Sequence, residues 1–121
     1  DPGRFELRLM DGSVNPYLLQ AGILAAGLDG LKNNINPGKP LDCNMYTDYK
    51  KYPNLPKLPD NLDQSLEKLK NNKDMKNSFG ENTINSYLKL RNSEIEEFKQ
   101  KETFDKTKKI TKWERSNTLD C

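Results

Sequence analysis

Hydrophobic and polar residues alternate along residues 4–10 up to the closing Leu9-Met10 pair, with Arg4, Glu6 and Arg8 set against Phe5, Leu7 and Leu9. A period of two predicts a half-buried strand, because successive side chains in extended backbone point to opposite faces. Asp11-Gly12-Ser13 then reads as a turn. Asn15-Pro16 predicts a helix start, with Asn15 as the capping residue and Pro16 at the first helical position. The helix carries Tyr17, Leu18, Leu19, Ala21, Ile23, Leu24, Ala25, Ala26 and Leu28, so it is apolar nearly all round. Such a helix is expected to be buried on most of its faces. Gly30 and Asn33-Asn34 are its stop signals.

The pattern breaks over residues 36–59, where Pro37, Pro40, Pro53, Pro56 and Pro59 predict an extended, irregular connection. Asp60 is expected to cap a second helix with Leu62, Leu66 and Leu69 on one stripe. A short turn around Met75 and Phe79 should end at Gly80. A third helix is expected from Glu81 to about Lys99, with Ile84, Tyr87, Leu88, Ile95 and Phe98 on one face. A last short helix should hold Ile110 and Trp113. The predicted fold class is therefore α+β, with one N-terminal strand followed by mainly α-helices and a long proline-containing loop. No internal repeat is visible.

Composition sharpens this picture. The chain has 121 residues, enough for one compact unit, and begins at Asp1 rather than a methionine, as a segment of a longer chain would. Only 33% of the residues are hydrophobic and the mean hydropathy is −0.98. The core must be modest, and the apolar helix needs a partner surface that the rest of the chain supplies only in part. Twenty basic and 18 acidic residues give a net charge of +2. So even a balance points to neither nucleic acid nor membrane as partner. Two widely spaced cysteines, Cys43 and Cys121, are no disulfide framework, and a reduced, cytoplasmic setting is the simpler expectation. No apolar run reaches the roughly 18 residues of a membrane-spanning helix, and no signal peptide is visible. Histidine is absent, which excludes Ser-His or Cys-His catalysis and a His-ligated metal within this chain.

Chemistry concentrates on the predicted strand. Arg4, Glu6 and Arg8 would share one face, with neighbours roughly 6–7 Å apart at twice the strand rise. A carboxylate between two guanidiniums suits a site that handles anions beside a divalent metal. Glu supplies a hard oxygen ligand, and Arg grips phosphate or carboxylate oxygens in bidentate fashion. The plainer reading is a solvated charge ladder on a half-buried strand. The lysines at 106, 108, 109 and 112 read as a solvated face, and Trp113 as a packing anchor.

The stretch from Arg4 to Gly30, RFELRLMDGSVNPYLLQAGILAAGLDG, resembles the glutamine synthetase family, most closely its class I branch. There, a strand of the form R-(I/F)-E-(V/L)-R precedes a short turn, A/V-N-P-Y-L and a helix ending A-G-L-D-G. Similarity continues at Pro37-Gly38, from Asp42 to Tyr46 and from Tyr87 to Arg91. The resemblance implies that residues 1–121 are the C-terminal portion of the catalytic domain, with the N-terminal domain and most of the active site absent. It implies catalytic roles for Arg4, on ATP phosphate, and Arg8, on the glutamate carboxylate region, with Glu6 as a ligand of Mg²⁺ or Mn²⁺. The implied reaction phosphorylates glutamate with ATP and displaces phosphate with ammonia, in a cytoplasmic homo-oligomeric ring. The chain alone is expected to be inactive. Tyr46 matches a tyrosine that some bacterial class I enzymes adenylylate, although an ordinary loop aromatic packing its ring is the plainer reading. Two alternatives stand beside ammonia ligation: a glutamate–amine (polyamine) ligase of the same fold, and a non-catalytic assembly or regulatory module.

Overall fold

The computed structural model describes residues 3–4, 6–102 and 110–117. Six α-helices follow one another among them: α1 (Pro16–Lys32), α2 (Met45–Asp48), α3 (Leu62–Asn71), α4 (Lys73–Phe79), α5 (Glu81–Lys101) and α6 (Lys112–Asn117). A 3-10 turn, Tyr49–Lys51, extends α2. The described residues contain no strand, so the α+β expectation is corrected to a helical fold. Alternation decides which side chains share a face, but a strand also requires a neighbour to take its N–H and C=O groups. No second extended segment pairs with the described residues of the arm at 4–10.

Asparagine side chains set most of the helix starts. Asn15 Oδ1 accepts from the amides of Tyr17 (3.0 Å) and Leu18 (3.1 Å), and Pro16 takes the first position as expected. Asn61, not Asp60, caps α3. Its Oδ1 accepts from the Gln64 amide at 2.9 Å, while Gln64 Oε1 accepts from the Asp60 amide at 3.0 Å. Asn72 does the same for α4 through the Met75 amide, turning a predicted turn into a seven-residue helix. Each such cap satisfies a backbone donor that the helix itself cannot.

The core lies between α3 and α5. Leu66, Ile84, Leu88 and Ile95 are its buried members, with Leu69, Phe79 and Tyr87 packed against them. Leu66, Leu69, Ile84, Tyr87, Leu88 and Ile95 fall on the apolar stripes that the helical spacing predicts, and Phe79, expected in a turn, joins them from the end of α4. Lys99 Nζ donates to Asp63 Oδ1 at 3.1 Å and clips the two helices together. Gly80 joins α4 to α5 at φ +83°, a backbone that side-chain-bearing residues rarely adopt. At the far end of α5, the Phe98 and Trp113 rings meet edge to face at 5.5 Å and fasten α6. The α6 start is closed by Thr111 and Glu114, each of whose side chains accepts the other's backbone amide. Ile110 lies before α6 and is exposed.

Helix α1 is corrected as well. It has no buried residue; Tyr17, Leu24 and Leu31 are 83%, 66% and 76% exposed. A helix apolar all round needs cover all round, and α4 is its principal neighbour. The described residues include no helix long and apolar enough to cross a membrane.

Candidate functional site

The arm that precedes α1 carries the three charged residues singled out from the sequence, and all are exposed. Arg8 Nε donates to Glu6 Oε1 at 2.5 Å, with the two side chains 75% and 60% exposed. Residues two apart in extended backbone fall on one side, so Glu6 and Arg8 meet although no strand has formed. Arg4 is exposed and is not joined to them by any ion pair among the described residues. The structure thus brings together two of the three residues and leaves the third apart. An ion pair this open to water is worth about 0–1 kcal/mol, so either partner is readily exchanged for a stronger ligand.

Glu6 is chemically suited to a hard divalent cation, but one carboxylate does not make a metal centre. Such ions take about six oxygen ligands, and no group of three or more His, Cys, Asp or Glu side chains gathers among the described residues. Taken alone, these residues do not fit a bound Mg²⁺ or Mn²⁺.

A short run of hydrogen bonds joins the arm to α1. Asp11 Oδ1 accepts from both the amide (2.8 Å) and the hydroxyl (2.6 Å) of Ser13. The hydroxyl first, and the amide second, hold the Asp11 carboxyl below its ordinary value of 3.8. The Val14 amide reaches back to the Asp11 carbonyl at 3.4 Å. The Asp-Gly-Ser sequence signals the turn, but its pattern does not show that one carboxylate oxygen holds both Ser13 donors.

Tyr46 stands on α2, capped by Asn44 through the Tyr46 amide (3.0 Å), and is 87% exposed. Its ring is therefore no packing anchor within the described residues. Nearby, the Cys43 thiol donates to the Met45 sulfur at 3.5 Å. A hydrogen bond to Cys43, then its charge, pushes the Tyr52 hydroxyl above its usual range. Nothing in the sequence pattern brings these three side chains together. Lys112 is exposed on α6, whereas Lys106, Lys108, Lys109 and Cys121 lie outside the described residues. Trp113 is a packing residue, as expected.

The family model described as "Glutamine synthetase, catalytic domain" matches residues 1–116. The chain is 42% identical over 119 residues to a glutamine synthetase of Rhizobium meliloti (strain 1021), covering 98% of this chain and 26% of that protein. It is 37% identical over 117 residues to a glutamine synthetase of Pyrococcus furiosus, covering 92% and 27%. It is 35% identical over 99 residues to one of Methanosarcina mazei, covering 79% and 22%. The chain thus spans about a quarter of the length of these relatives. No solved structure matches it. A match across nearly the whole chain, carried at its start by the exposed Arg4–Glu6–Arg8 arm and its capped helix, shows that the chain belongs to the glutamine synthetase family, as the C-terminal region of its catalytic domain.

Proposed function

We propose that this chain supplies one arm of the active site of an ATP-dependent glutamate–ammonia ligase and has no turnover alone. The observation that carries the reading is the solvent-open arm. In it Glu6 and Arg8 are side by side, and Arg4 is joined to neither, in a segment similar to glutamine synthetases along its whole length. In this reading Arg4 binds a phosphate of ATP and Arg8 the carboxylate region of glutamate. Both guanidiniums neutralise charge on oxygens that gain or carry it as a phosphoryl group moves. Glu6 contributes a single oxygen ligand to a divalent ion, and the other ligands come from parts of the catalytic domain outside this chain. The exposed apolar side of α1 supports a working form in which further protein, from the same domain or from neighbouring subunits of a ring, covers it.

The test is phosphate release from ATP with glutamate and ammonia, by the complete synthetase carrying this segment and by its Glu6→Gln variant. Ammonia-dependent release that collapses in the variant is expected. Release only with larger amines would replace ammonia ligation by glutamate–amine ligation, and silence with every amine would sink the enzymatic reading. Measurable turnover by the 121-residue chain alone would refute its predicted inactivity.

A further inference from the structure

We draw no further inference here: the strongest candidate, the Cys43–Met45–Tyr52 side-chain cluster at the start of α2, rests on a single cysteine tied to its neighbours by hydrogen bonds of the cluster itself, with no second observation among the described residues that points to a ligand.

Discussion

Two leucines, each on a helix, should respond very unequally to truncation in this chain. Leu88 on α5 is 8% exposed and belongs to the four-residue buried core; Leu24 on α1 is 66% exposed. Leu88→Ala removes three carbons from a site enclosed by α3 and α5, losing their transfer free energy and leaving a cavity. That costs about 2–5 kcal/mol. With so few buried residues, relaxation by neighbours is limited and a value near ~3 kcal/mol is expected. Set against a net stability of about 5 kcal/mol for a small domain, the loss should consume more than half of it. Leu24→Ala removes the same atoms where water already covers most of them and gains slightly in helix propensity, so its effect should lie within about 0.5 kcal/mol of zero. Urea unfolding followed by far-ultraviolet circular dichroism measures both, with equal slopes required for the comparison. Equal losses for the two variants would refute the reasoning, because they would mean that α1 is as deeply packed as α5.

Other outcomes follow from single contacts. Gly80→Ala forces a side chain onto φ +83° and should cost roughly 1–3 kcal/mol in the same unfolding assay, although no atom lies close enough to clash. Asn72→Ala removes the acceptor that the Met75 amide uses at 3.0 Å and should cost about 1 kcal/mol, with loss of helicity confined to α4. A double-mutant cycle on Phe98 and Trp113 should return a coupling of about 0.5–1.5 kcal/mol for their edge-to-face pair. The Asp11 carboxyl is depressed by Ser13, so the turn's stabilisation is fully present above the ordinary value of 3.8 and is lost as pH falls through the lower folded value. Ser13 amide exchange measured down that range should show protection persisting below pH 3.8 and disappearing only in stronger acid.

The helices were largely legible because their signals are local. Asn15-Pro16 starts α1, Gly80 separates α4 from α5, and the spacing of Ile84, Leu88 and Ile95 marks the buried face of α5. What failed depends on partners. Tyr17, Leu24 and Leu31 are apolar as the pattern reads, but burial is a property of two surfaces, and α4 supplies only a narrow one. The turn expected around Met75 became α4 because Asn72 caps it, and a cap residue carries its meaning only once the following amides point at it. Of the three charged residues that the alternation places on one face, Glu6 and Arg8 do meet. Arg4 is joined to neither by an ion pair among the described residues.

The same physics explains why the charged residues proposed for the site lie outside the core. Burying an arginine or a carboxylate without full pairing costs more than this small core could offset, so a helical unit of four buried aliphatic residues has no place for them. On an exposed arm the Glu6–Arg8 pair contributes little to stability, and in the proposed function both groups exchange one another for substrate oxygens or for a cation completed by other ligands. α1 is started by Asn15, and the turn before it is closed by the charge-assisted hydrogen bonds from Ser13 to Asp11. An arm this exposed keeps its chemistry available, and in the proposed function it acquires a defined partner geometry when other protein covers it. In the proposed function activity requires that cover, so turnover by the 121-residue chain alone would refute it.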